Sequence, residues 1–404
     1  MHELAGLARE LDLLRARAAA GTLKAKVSLE DLTRLVRTPR STLHRYVTGQ
    51  TLVPSEVLDR IVIALGASPA EQRDWNEAWY RVHAGVPRPV PEPVPDALPP
   101  TIRGFVGRAA ELSELDRLLD RDDSGLPVLA VSGPPGVGKT ALALRWAHQV
   151  RARFPDGCLY VDLRGYAPDH PVEAGEALGT LLGCLGDEVP DDPAVRAARY
   201  RSRLAGRRVL VVLDNALCAE QVRPLLPGTG ACAVVVTSRD DLAGLVARDG
   251  AHRVGLDLLP EPDAVALLGN LLGAERVAAN PEAALLVQRC GRLPLALRVA
   301  AEVGVTRPDT SLAALADASG LDWLDAGGDP RTGVRAVFSW SYRRLVPEAA
   351  AVFRLLGRHS DGDLADLAPR RLLHTLVRAH LVKISSGRFQ MHRLLRAYAT
   401  ELAD

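Results

Sequence analysis

The 404 residues carry 47% hydrophobic and 25% charged side chains and a formal net charge of +1. That balance is that of a globular chain of roughly two to four domains, with no global charge to draw it to nucleic acid or membrane, so any basic surface must be local. The opening MHELAGLARELDLL is amphipathic rather than a signal peptide, and no apolar run approaches membrane-spanning length, so a cytoplasmic protein without a membrane partner is expected.

Residues 1–84 read as a short all-α module. Within it, SLEDLTRLVRTPRSTLHRYVTG (28–49) has the pattern of two helices joined by a tight turn. Ser28 can cap the first helix, with Asp31 favourable at the same end, and Leu32, Leu35 and Val36 supply an apolar face. The second helix is expected to begin near Pro39, a favoured first-turn residue, and to bury Leu43, Tyr46 and Val47. That leaves Arg40, Ser41, Thr42, His44 and Arg45 facing outward, with Arg37 in the turn. No acid occurs between Leu32 and Ser55, whereas Arg34, Arg37, Arg40 and Arg45 all fall inside. A helix-turn-helix lays its second helix in the major groove, where arginines read guanine or hold phosphate, so DNA is the expected partner. A helical module that docks protein is the competing reading of the same residues. The module is only slightly basic, so one copy is expected to bind weakly.

Residues 85–100 hold VPRPVPEPVPDALPP, in which proline fixes φ and removes donors. A semi-rigid polyproline II spacer of up to roughly 50 Å is expected, with a ligand for a proline-binding domain as the alternative.

From Val128 to about Leu256 apolar runs alternate with helical ones: VLAVS, CLYVD, VLVVLD, AVVVTSR and HRVGL. Continuous apolar strands separated by helices predict an α/β domain (101–258) with a parallel sheet covered on both faces. GPPGVGKT at 133–140 satisfies GxxxxGK[ST] at every fixed position, between a predicted strand and a predicted helix. Gly133, Gly136 and Gly138 let the backbone curl around phosphates, and Pro135, Val137 and Ala141 complete the loop and first turn. Lys139 is expected to reach the β- and γ-phosphates and Thr140 to ligate Mg²⁺. VLVVLD ends on Asp214, the second anionic group a Mg²⁺ site needs. Asn215 follows it, and an amide cannot serve as the base that activates water, so slow turnover, or a base from elsewhere, is expected. Arg239, after AVVVTS, could stabilise the γ-phosphate or be a surface cation at a strand exit.

Beyond Glu261 the strand signal vanishes into helical segments (259–328), and a last region (329–404) ends in a short β-like RFQMH. The cysteines at 158, 184, 218, 232 and 290 have neither CxxC spacing nor a nearby His cluster, and read as free thiols of a reducing compartment. The only lysines are Lys24, Lys26, Lys139 and Lys383, which makes a lysine within a glycine-rich loop hard to ascribe to composition.

The ordered motifs FVGR (105–108), GPPGVGKT, FPDGCLYVDLRGY (154–166), VLVVLDNA (209–216), VVVTSR (234–239), RLPLAL (292–297), FSWSYRRL (338–345) and MHRLLRAYA (391–399) resemble those of NB-ARC proteins. These are STAND-class P-loop NTPases, and the likeness is to their actinobacterial transcriptional-regulator branch. STLHRYVTG resembles Xre/Cro-type helix-turn-helix domains. The resemblance implies a nucleotide domain followed by helical and winged-helix domains. It also implies an ATP/ADP switch in which ADP holds a closed state and ATP an open, often oligomeric one. It places Val106, Gly107 and Arg108 near adenine, Pro294 against the nucleotide, and His392 on the β-phosphate of ADP. Two departures stand out. The family's Met-His-Asp reads Met391-His392-Arg393 here, which reverses a charge beside the expected ADP sensor. The chain also ends at Asp404 without an inducer-sensing repeat region, as expected of either a short form or a piece of a longer protein.

Three functions fit these residues: a nucleotide-switched DNA-binding regulator, a STAND signalling ATPase whose first module recruits protein, and a constitutive ATPase.

Overall fold

The computed structural model describes residues 2–20, 25–83, 96–121, 125–307, 310–317, 320–327, 329, 331–359 and 364–403. Two compact units divide between Pro93 and Val94. The expected spacer therefore falls largely outside the described residues, from 84 to 95.

The first unit holds α1 (His2–Ala18), α2 (Leu29–Val36), α3 (Arg40–Val47), α4 (Ser55–Ala64) and α5 (Pro69–His83). Its own core includes Leu11, Leu32, Val36, Leu43, Leu58, Ile61 and Val62, and the Trp79 indole donates to the Val53 carbonyl. Ser28 caps α2 as expected: its hydroxyl accepts from the Asp31 amide at 3.1 Å and donates to the Asp31 carboxylate at 2.7 Å. Three details differ from expectation. Leu35 is 58% exposed, because α2 turns Leu32 and Val36 inward and leaves Leu35 roughly 80° off that axis at about 100° per residue. Pro39 is the N-cap of α3 rather than its first helical residue. Tyr46 and Val47 are half-buried, since α3 is only two turns long and centres its packing on Leu43.

The second unit begins with α6 (Ala109–Leu119), β1 (Val128–Ser132), α7 (Lys139–Val150), β2 (Cys158–Asp162), α8 (Ala174–Cys184), α9 (Pro193–Leu204), β3 (Leu210–Ala216) and α10 (Ala219–Val222). It continues through β4 (Ala233–Ser238), α11 (Ala243–Asp249) and β5 (His252–Gly255). The strands form one parallel sheet in the order β2-β3-β4-β1-β5. Side chains alternate between two cores: Leu129, Val131, Val212 and Val235 face one, and Val128, Ala130, Val211 and Val234 face the other. Both faces are covered, which is why the strands read as unbroken apolar runs.

The helices α12 (Glu261–Leu272), α13 (Ala274–Ala278), α14 (Glu282–Arg289), α15 (Pro294–Thr306) and α16 (Leu312–Asp317) come next. After them run α17 (Val334–Tyr342), α18 (Pro347–Gly357), α19 (Arg370–Arg378), β6 (Lys383–Ser385), β7 (Arg388–Gln390) and α20 (Arg393–Glu401). The first sheet core runs on into these helices through Leu286, Leu297, Phe338 and Phe353 without a break. Phe338, Tyr342, Phe353 and Tyr398 cluster with ring centroids 5.7 to 6.2 Å apart. The β-like RFQMH holds β7, which pairs antiparallel with β6, a strand that sequence reading did not mark. β6 has three residues, with Lys383 and Ile384 exposed, and offers too little alternation to be read from sequence.

The end of the expected spacer is not free chain. Asp96 bridges Cys158 on the edge strand β2, the Ala97 amide donates to the Cys158 carbonyl at 3.0 Å, and the His148 ring meets the Pro99 carbonyl at 2.8 Å. An edge strand leaves unpaired backbone groups, and this segment satisfies some of them.

Candidate nucleotide-binding site

The loop after β1 is a nest built by glycine. Gly136 and Gly138 have φ of +79° and +97°, and a Cβ on Gly136 would press on Leu295 at 3.0 Å. The loop opens onto the N-terminus of α7, where free amides and the helix dipole favour an anion. Lys139 is buried, and its ammonium donates to the Gly133 and Pro134 carbonyls, each at 2.8 Å. Burial and then the nearby Arg239 hold its pKa well below the usual lysine value, against the pull of Asp214. That ammonium is poised to exchange carbonyls for phosphate oxygens.

β4 lies between β1 and β3, and its Thr237, in register with Val131 of β1, bonds Asp214 on β3. Asp214 Oδ1 accepts from Thr140 Oγ1 at 2.8 Å and from Thr237 Oγ1 at 2.6 Å, while Oδ2 accepts from Tyr160 at 3.2 Å. Burial raises the Asp214 pKa, and the Thr237 and Thr140 donors oppose that rise. Thr140 and Asp214 thus present two hard oxygens side by side, a set that suits Mg²⁺ completed by water and phosphate oxygens. Among the described residues no group of three or more His, Cys, Asp or Glu could hold a metal by itself. Asn215 has φ +56°, and its amide donates to Thr237 Oγ1 at 2.9 Å. Sequence reading missed Thr237 and Tyr160. Each is a hydroxyl near the polar end of a mostly apolar strand, beside Ser238 in β4 and two residues before Asp162 in β2, which is the signal that could have marked them.

A cavity of ≈ 740 Å³ opens over this loop, large enough for a nucleotide. Val106, Arg108, Gly136, Val137, Gly138, Lys139, Thr140, Ala141, Asp214, Arg239 and Pro294 all line it. Gly133, Pro135, Gly107 and His392 are not among its lining residues. Gly107 (φ +63°) instead packs on Asp263, whose carboxylate would lie 2.3 Å from an added Cβ. Arg108 is buried and clamps the loop: it donates to the Asp257 carbonyl at 2.7 Å and pairs with Glu111 at 2.8 Å. The Leu295 amide donates to the Gly136 carbonyl at 3.2 Å, so the start of α15 touches the phosphate loop directly. His392 caps α20 and meets the Gly291 carbonyl at 3.0 Å, and Arg393 donates to the Gln288 carbonyl at 2.7 Å. The residue that departs from the family pattern therefore clasps α14 rather than facing a phosphate.

Arg239 lines the cavity yet is held from the far side. It donates to the Val337 carbonyl at 2.6 Å and to Ser341 Oγ at 3.0 Å, with the Tyr166 and Trp340 rings 5.3 and 5.7 Å from its guanidinium.

A family model described as an AAA ATPase domain matches residues 104–397. The chain belongs to that family. A helix-turn-helix model matches residues 7–75, ahead of the AAA ATPase domain. The regulatory protein AfsR of Streptomyces griseus is 43% identical over 326 residues, covering 75% of this chain and 33% of the relative. The disease resistance protein RML1A of Arabidopsis thaliana is 25% identical over 318 residues, covering 72% and 31%. The chain thus spans about a third of the length of the curated relatives it matches. A Walker-type ATPase of Pyrococcus abyssi aligns with a TM-score of 0.50 at 14% identity, over 76% of this chain and 99% of that one, a likeness of fold.

In the helix-turn-helix unit, Arg37, Arg40, Ser41, His44 and Arg45 are exposed and Thr42 is half-buried. Arg45 donates to Thr51 Oγ1 at 2.8 Å, which draws its guanidinium toward the end of α3. No helix among the described residues is long and apolar enough to cross a membrane.

Proposed function

We propose that the protein is an ATP/ADP-switched, DNA-binding transcriptional regulator of the STAND class, in which nucleotide state controls conformation and self-association. One observation carries this reading. Arg239, a cation on the wall of the nucleotide cavity, spends its hydrogen bonds on α17 of the winged region, so phosphate and α17 compete for the same guanidinium. Lys139, Thr140 and Asp214 take the roles of phosphate cation and Mg²⁺ ligands, and Val106, Arg108 and Pro294 bound the base. Mg²⁺ supplies charge neutralisation at the phosphates when bound. Asn215 gives no base beside Asp214, so the site holds nucleotide longer than it hydrolyses it. His392 acts through Gly291, keeping the winged region against α14.

The family relatives named as regulators support the output, as does the acid-free α2–α3 stretch with Arg37, Arg40, Ser41, Thr42, His44 and Arg45 facing DNA. A weakly basic module gains from association: several tethered copies on adjacent half-sites could raise affinity roughly 10² to 10⁴-fold. The test is operator binding and sedimentation of the wild type and Lys139→Ala with ATP or ADP. Identical affinity and mass in every case would sink the coupling. If the 1–83 unit retards no DNA but retains a protein partner, the recruiting reading replaces this one. Turnover above roughly 1 s⁻¹, ordinary for enzymes, would favour a constitutive ATPase.

A further inference from the structure

We infer that Arg331 is a second phosphate-binding residue of the pocket, one that distinguishes a nucleoside triphosphate from a diphosphate; this rests on the nucleotide reading above. Arg331 lies in the stretch leading into α17 and lines the same cavity as Tyr160, Asp162 and Asp214. Asp214 accepts from the Thr140 hydroxyl and from the Tyr160 phenol, so these residues mark the metal end of the loop.

The other cations that line the cavity are committed. Lys139 is bound to two loop carbonyls, Arg108 to Glu111 and Asp257, Arg239 to α17, and Arg298 to the Arg103 carbonyl at 2.7 Å. Arg331 differs. Its backbone amide donates to Asp329 Oδ1 at 2.8 Å, but its guanidinium has no hydrogen bond or ion pair among the described residues. It is nonetheless felt inside. Burial and the Asp214 and Asp162 carboxylates push the Tyr160 phenol well up, and Arg331 is the cation that opposes them.

A guanidinium without a hydrogen-bond partner among the described residues, in a cavity that also holds the Asp162 and Asp214 carboxylates, can take an anion once those acids are neutralised. Its planar fork matches two phosphate oxygens, and Mg²⁺ at Thr140 and Asp214 would neutralise the acids that surround them. Reaching the outermost phosphate would draw residues 331–333, and with them the start of α17, toward the pocket.

Calorimetric titration of the full chain with Mg²⁺ and either ADP or a non-hydrolysable ATP analogue tests this. Arg331→Ala should weaken the triphosphate roughly three- to tenfold, the range for a charge-assisted bond at a partly solvated site, and ADP less than twofold. Arg331→Lys should recover part of the loss. Equal losses for both nucleotides, or none, overturn the assignment. Arg331 is exposed, so the variants should melt as the wild type does; if Arg331→Ala does not, Arg331→Gln gives the same comparison. Lys139→Ala separates the two ideas: it should weaken both nucleotides, and if it weakens neither, the nucleotide reading itself fails.

Discussion

Arg239 reaches from the exit of β4 to the Val337 carbonyl at 2.6 Å, across 98 residues of chain. A residue lining the cavity is thereby a clasp on α17. Burial lowers its pKa to about 10, which leaves it charged at neutral pH. A half-buried charge of this kind is costly unless satisfied, so removing one of its acceptors should be felt.

Ser341 is that acceptor, and it is 1% exposed. Ser341→Ala should cost about 1–2 kcal/mol, as for a hydrogen bond to a charged group. In a unit of this size the thermal midpoint of the nucleotide-free protein should fall by roughly 2–4 °C. An unchanged midpoint in scanning calorimetry would show that the clasp does not hold in solution.

Gly165 marks where the loop after β2 crosses the end of β3. Its amide donates to the Asn215 carbonyl at 2.7 Å, and an added Cβ would lie 2.4 Å from the Leu217 nitrogen and 2.6 Å from that carbonyl. Both are backbone atoms with little room to yield. Gly165→Ala should therefore cost about 3 kcal/mol or more, read as a lower urea midpoint. Wild-type stability would mean the 163–166 loop can lift away from Asn215.

Arg37 occupies the left-handed region at φ 53°, ψ 42°, in the turn between α2 and α3. That backbone costs a non-glycine residue about 1 kcal/mol, so Arg37→Gly should raise the stability of the first unit by that order. If Arg37 also holds a phosphate, the same variant should bind DNA less tightly and with a salt slope shallower by about 1. A stabilised variant with unchanged DNA affinity removes Arg37 from the interface.

Acid should loosen the region from α17 to α20. Burial and the Lys139 charge lower the His380 pKa to about 4, with Arg253 adding and Asp241 opposing. Burial likewise lowers His392. Below their ordinary value near 6.5 the unfolded chain takes up protons that the folded one refuses, so stability is complete above about 6.5 and falls toward pH 4. The loss should reach about 2 kcal/mol at pH 4, allowing for the part of the His380 ring that water reaches. His380→Asn, which also suits that residue's left-handed backbone, should flatten the melting profile between those limits. A wild-type profile that is already flat would refute the assignment.

Residue types alone determined the phosphate loop, the strands around it, Asp214, the Ser28 cap and the helix-turn-helix. Each depends on contiguous residues whose backbone needs, such as glycine at positive φ or unbroken apolar runs, leave a local mark. The partners of those residues left none. That Thr237 and Tyr160 share Asp214, that Arg239 turns to α17, that His392 meets Gly291 and that Asp96 pairs on β2 are contacts over 23 to 102 residues of chain. Only the tertiary structure decided them, because which side chain satisfies a buried charge depends on which helices the shared core brings beside it. The phosphate loop could be read one residue at a time, but what that loop is connected to could not.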